Sequence, residues 1–333
     1  MNRYPWIRLA AVGLLFVAAL ALAARGTALA QQGPLLTSAL VSELPADPSA
    51  PAWQQAPVLE VPLGPQPVAL PRLLDVSVAT LAVRSLNDGK QIAFLLEWTD
   101  LSRDAHATRP DQFRDAAAIL FAVGDFLPNI CMGTPGQQTN LWHWKADWQE
   151  DIDKGFQDVV DAYPNFYKDS YPFATGQPPF RVPADFGSAE AQQYFIALAA
   201  GNPFAKPDRS SPVEELVAAG FGTATHKTEQ NVGGRGVWAD GHWRVLFTRP
   251  LAAPDTASAN LAGRSEVPLA FAVWDGAHQE AGARKQLSSF VTARIEGARE
   301  AVPPPYLVGG AVVVLLATAA VLLWLRSRRR SAA

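Results

Sequence analysis

The stretch DVSVATLAVRSLNDGKQIAFLLEW, residues 75–98, decides the fold class. Val76, Val78, Thr80 and Ala82 recur at every second position, the period of a strand with one buried face. Asn87-Asp88-Gly89 follows, where short polar side chains bond their own backbone and the glycine accepts positive φ, so the chain turns. Residues 91–98 return as an almost wholly apolar run, completing a hairpin whose second strand is buried.

The same grammar extends outward. Gly236-Val237-Trp238 runs into Asp240-Gly241 and back through Trp243, Val245 and Phe247, a second hairpin. Residues 117–123, 267–274 and 288–295 read as further strands, and residues 58–63 as a first edge strand. Helical spacing is confined to residues 151–163 and 188–200, the latter with Ser188 as its N-cap. Residues 177–207 read as a loop-rich insertion. Many short strands punctuated by Gly and Pro predict an all-β, antiparallel β-sandwich with a few short helices.

Both ends carry targeting signals. Residues 1–30 combine Arg3 and Arg8, an apolar run over 9–24, and Ala28-Leu29-Ala30, the pattern of a signal peptide with Gln31 as the new terminus. Residues 306–325 hold no charge and are long enough to cross a bilayer as a helix, which takes roughly 20 residues. Arg326, Arg328, Arg329 and Arg330 follow in a basic tail, 326–333, and place that tail in the cytoplasm. The expected layout is a linker over 31–71 and a folded domain over 72–300 on the extracytoplasmic side of the cell membrane, anchored by a single helix.

Those ends hold seven of the 28 Lys and Arg residues and no acid, leaving 21 bases against 31 acids in the exported body. Such a body is a poor nucleic-acid ligand and suits basic protein partners. Cys131 is the single cysteine, which excludes an internal disulfide, a CxxCH haem attachment and a cysteine-ligated iron–sulfur cluster. His106, His143, His226, His242 and His278 make no zinc-hydrolase spacing, and no P-loop, GxSxG or GxGxxG occurs. Nothing in these patterns nominates catalytic residues, so an enzyme is not expected.

The chemically dense stretch is CMGTPGQQTNLWHWKADWQ, residues 131–149. Met132 is the only methionine besides Met1 and sits in a Gly- and Pro-rich loop. Core methionines fill gaps on strands and helices, so a loop methionine beside tryptophans is a candidate to present sulfur to a metal. Trp142 and Trp144 share one face of a strand, as core residues or as walls of a cofactor site.

This stretch, with Leu96-Glu97-Trp98-Thr99-Asp100, residues 111–118 (DQFRDAAA), residues 211–216 (SPVEEL), residues 236–243 (GVWADGHW) and Phe271-Ala272-Val273-Trp274-Asp275-Gly276 leading to Arg284-Lys285, resembles the haem b-binding gamma subunits of ethylbenzene dehydrogenase and related periplasmic molybdenum oxidoreductases. The matched blocks run in order from about residue 75 to 295. The resemblance implies one non-covalent haem b in the sandwich, with a methionine and a lysine as axial ligands. It carries Met132 and Lys285 into those roles, with Lys227 or His226 as the alternative second ligand and Lys145 a more distant one. Trp142, Trp144 and Phe113 are expected to wall the haem, and Arg114, Arg244 or Arg284 to meet its propionates. The implied function is electron transfer between molybdopterin and iron–sulfur subunits and a c-type cytochrome or membrane chain. The alternatives are a sandwich that binds carbohydrate or another ligand without haem, and a haem sensor or storage protein.

Overall fold

The computed structural model describes residues 33–163, 165 and 196–298. The expected signal peptide, membrane helix and basic tail lie outside the described residues. So does most of the insertion over 177–207. Among the described residues no helix is long and apolar enough to cross a membrane.

Thirteen strands form one hydrogen-bonded system: β1 (Leu35–Leu40), β2 (Leu59–Pro65), β3 (Thr80–Asn87), β4 (Gln91–Thr99), β5 (Ala116–Ala122), β6 (Thr139–Lys145), β7 (Val213–Ala218), β8 (Thr225–His226), β9 (Gly233–Ala239), β10 (His242–Pro250), β11 (Glu266–Trp274), β12 (Gln286–Ser288) and β13 (Val291–Ile295). The order β8-β7-β6-β5-β11 makes one layer and β2-β3-β4-β10-β9 the other. β12 joins them between β11 and β2; beside it on the same side, β13 pairs with β11, and β1 pairs in parallel with both β13 and β3. The remaining pairs are antiparallel, as the sequence predicts.

Facing aromatic side chains fill the space between the layers. Phe94 of β4 meets Phe121 of β5 and Trp142 of β6 at ring distances of 6.0 and 5.9 Å. Trp144 of β6 packs edge-on against Trp243 of β10 at 4.9 Å. Full burial of each such side chain contributes roughly 1.5–3 kcal/mol, several times a typical exposed ion pair. Close approach of the layers depends on Gly236 of β9, where a Cβ would lie 2.2 Å from the Trp144 ring.

Two corrections to the sequence reading concern boundaries. The segment read as a linker over 31–71 also contributes β1 and the buried Trp53, which packs with Leu86, Leu95 and Leu246 on the outer face of the second layer; the strand expected over 58–63 is β2, paired on both sides and not at an edge. The helix expected over 151–163 is instead α1 (Ala146–Lys154), followed by the four-residue α2 (Val159–Ala162). Of the helix expected over 188–200, Ser188 and the residues up to 195 lie outside the described residues, and α3 (Ile196–Ala199) falls within its range. Gly155, at φ 101°, ends α1.

Candidate cofactor site

Among the described residues, the outer face of the first layer has no cover like Trp53. Strand alternation decides what it shows. β5 turns Ala117, Ile119 and Phe121 inward to the core cluster, so Ala116, Ala118 and Leu120 face outward. β6 likewise puts Trp142 and Trp144 in the core and Leu141 and His143 outside. Across the ladder Ala118 pairs with His143 and Ala272, and Leu120 with Leu141 and Ala270. The result is a shallow floor of small and apolar side chains, with Trp274 standing at one side.

Two loops close over this floor. The β5–β6 connection brings Met132, and the β11–β12 connection brings Lys285. Both border one cleft of about 340 Å³, lined also by Leu70, Ala118, Leu141, His143, Leu216, Phe221 and Trp274. That volume and its largely apolar lining fall in the range of cofactor and ligand sites. Met132 and Lys285 also share an adjoining recess with Ile130, Ala270 and Leu287.

Met132 is held in an unusual conformation. Its φ is +72°, a value that costs a bulky residue energy and that recurs at functional sites. Neighbouring groups fix it: the Met132 carbonyl accepts from Gly220 N–H at 3.0 Å, and the Asn129 carbonyl accepts from Gly133 N–H at 2.8 Å. A Cβ at Gly133 would lie 2.5 Å from the Gln137 carbonyl oxygen, so the turn excludes larger residues.

Lys285 has no carboxylate partner among the described residues. Its Nζ lies 5.0 Å from the centre of the Trp274 ring, which stacks on His143 at 4.7 Å. Its side chain is half-buried. Loss of water around the amine draws its pKa down to about 8, against a smaller opposing effect of Cys131. His143 is also half-buried, and desolvation followed by the charges of Lys145, Arg114 and Lys285 holds its imidazole well below 6.5. Its Nε2 is buried without a hydrogen-bond partner. A thioether, an amine poised to be neutral and an orphaned imidazole nitrogen around an apolar slot fit a haem, whose iron takes such donors.

The other sequence candidates fall elsewhere. Lys227 is buried between Glu215 and Asp255, 3.0 Å from each, and its ammonium also bonds Ser258. His226 Nδ1 lies 2.8 Å from Glu214 Oε1, and Lys145 is buried against the other oxygen of Glu214. None of the three borders the cleft. Trp142 and Trp144, expected as cofactor walls, are fully buried core residues, because the period of two turns them away from the floor. Phe113 and Arg114 line a neighbouring recess that shares His143, Trp274 and Gly282 with the main cleft. Arg244 bonds Glu97 and does not line it. The sequence reading missed Trp274, His143 and the alanine floor. Alternation puts His143 on the face opposite the two tryptophans, and the structure makes that face the outward one.

The chain is similar to several known proteins. The sequence model described as ethylbenzene dehydrogenase matches residues 50–286. The gamma subunit of chlorate reductase from Ideonella dechloratans is 25% identical over 293 residues, covering 84% of this chain and 93% of the relative. The gamma subunit of dimethylsulfide dehydrogenase from Rhodovulum sulfidophilum is 24% identical, covering 78% of each. The ORF7 protein of Haloferax mediterranei, described as a respiratory nitrate reductase heme subunit, is 26% identical over 76% of this chain and 69% of its own length. Among solved structures, a family 9 carbohydrate-binding module from Caldicellulosiruptor kristjanssonii aligns over 81% of this chain and all of its own at 9% identity, with a TM-score of 0.36, too low to bear on fold or function. With well over half its length matched by that one family model, the chain belongs to the ethylbenzene dehydrogenase family.

Proposed function

We propose that the chain is a non-catalytic, haem b-binding electron-transfer subunit, with Met132 and Lys285 as the axial ligands of a single haem in the cleft. One observation carries the reading: a methionine and a carboxylate-free lysine, from loops about 150 residues apart, border the same apolar cleft. The relatives, two gamma subunits and a heme subunit by name, support a place in a multi-subunit oxidoreductase. When bound, the haem would supply a one-electron ferric–ferrous couple.

The chain's own residues do the rest. The Met132 thioether is a soft donor, which favours the ferrous state and a higher potential. Lys285 must lose its proton to donate, and its dry setting makes that cheap at neutral pH. The alanine floor and Trp274 exclude water, and His143 and Phe113 flank the slot. Partners would be a molybdopterin catalytic subunit with its iron–sulfur subunit on one side and a c-type cytochrome or the membrane chain on the other. The terminal patterns in the sequence support export and a single-pass anchor over residues 306–325.

The test is the pyridine haemochrome and dithionite-reduced spectrum of the purified full chain. About one b-type haem per chain with a low-spin reduced spectrum is expected. Colourless protein after haem-replete expression would instead leave a ligand-binding sandwich without haem.

A further inference from the structure

Away from the cleft, three acids meet at one end of the sandwich. Asp100 follows β4, Asp115 precedes β5 and Asp275 follows β11, so both layers contribute. Asp115 is wholly buried and the other two are 5% exposed. One carboxylate oxygen of each lies within 4.8 Å of the others. That is the spread permitted around one cation with oxygen ligands at roughly 2.3–2.6 Å.

Hydrogen bonds account for only part of this charge. Asp115 accepts from Gly276 N–H at 2.9 Å, Asp104 N–H at 2.8 Å and Trp243 Nε1–H at 2.9 Å. Asp100 Oδ1 accepts from the backbone and hydroxyl of Ser102, and Asp275 Oδ2 lies 2.8 Å from His278 Nδ1. Asp100 Oδ2 and Asp275 Oδ1 are left buried with no donor at all. Buried carboxylate oxygens are seldom left so.

The surroundings add no compensating cation. Among the described residues neither Lys nor Arg pairs with any of the three; nearby Arg103 is engaged by Glu150. Asp104 and Glu280 bring further negative charge, and only the exposed His278 faces the group from the other side. Burial and then the neighbouring carboxylates raise Asp100 to about 6 and Asp115 to about 8, so without a counter-ion these two resist ionising.

We infer that Asp100, Asp115 and Asp275 form a structural calcium site, the orphaned Oδ2 of Asp100 and Oδ1 of Asp275 aimed at the ion. Three buried carboxylate oxygens suit Ca²⁺, whose oxygen shell is flexible, better than Mg²⁺, which demands near-ideal octahedral geometry and keeps several waters; among the described residues no cysteine or histidine joins the group, which disfavours zinc. The ion would tie the β4–β5 connection to the start of the β11–β12 loop, the loop that ends at Lys285. The site does not depend on the haem reading.

The full chain, stripped with EGTA, is titrated with calcium chloride by calorimetry and melted with and without it. One site per chain is expected. At a hundredfold excess over Kd the melting temperature should rise by about 5–10 °C. Asp100→Asn and Asp275→Asn should each fold yet lose that rise. If either fails to fold, the wild-type titration still decides. No calcium binding, with melting indifferent to calcium and EGTA, would overturn the site and leave the acids held by shared protons. A response to magnesium equal to that to calcium would overturn the assignment of the ion.

Discussion

The imidazole of His143 stacks on the indole of Trp274, ring centroids 4.7 Å apart and planes 30° from parallel. The two belong to strands separated by β5, and the small side chains of Ala116 and Ala118 between them allow the contact. This pair marks the boundary between core and cleft.

Adjacent residues of β6 should therefore give opposite readouts. Trp144→Ala empties the core beside Trp98 and Trp243 and should cost about 3–5 kcal/mol in urea unfolding. His143→Ala removes a side chain whose Nε2 is unpartnered, so stability should change by less than about 1 kcal/mol. The haem spectrum should shift in the His143 variant and persist in folded Trp144→Ala protein.

Lys285 makes stability depend on alkaline pH. Its amine falls from the ordinary 10.5 to about 8, so between those values the unfolded chain holds a proton the folded chain lacks. Unfolding free energy from this group then rises with pH across that window, and its destabilising effect is fully present below about 8. Lys145 is also drawn down to about 8, so the measurement is the wild-type profile minus that of Lys285→Met in haem-free protein. A positive difference in slope between pH 8 and 10 is expected. In haem-loaded protein, acidification below about pH 8 should weaken lysine ligation.

Lys227 should matter for folding and not for iron. Its ammonium and the Arg249 guanidinium, 3.7 Å from Oε1, neutralise the fully buried Glu215. Lys227→Met leaves that carboxylate short of a partner and should cost about 3 kcal/mol. The visible spectrum of the folded fraction should stay that of wild type; a high-spin shift there would return Lys227 to the ligand role.

Gly133→Ala should disturb the methionine loop alone. An alanine at φ +83° with its Cβ against the Gln137 carbonyl forces the turn open. A loss of roughly 1–3 kcal/mol is expected, together with faster haem release to apomyoglobin.

Much of this architecture is legible in sequence because it is local. Asn87-Asp88-Gly89 and Asp240-Gly241 give both hairpins, and Gly89, Asp240 and Gly241 take the positive φ such turns need. β1 is not legible: its partners β13 and β3 are distant and parallel, and its surroundings are rich in Pro and Ala. In the site, Met132 and Lys285 stand out as a loop methionine and a motif lysine, and they border one cleft. Trp142 and Trp144 show the limit of periodicity. Alternation says that they share a face but not which face, and the floor they oppose is built of alanines that no composition flags.

Ferric and dithionite-reduced absorption spectra of Met132→Ala and Lys285→Ala, beside wild type, test whether these two side chains hold the haem iron. Low-spin haem in wild type, with each variant shifting to high spin or losing haem while retaining its fold by circular dichroism, is the predicted result. An unchanged low-spin spectrum in either folded variant would contradict the axial pair.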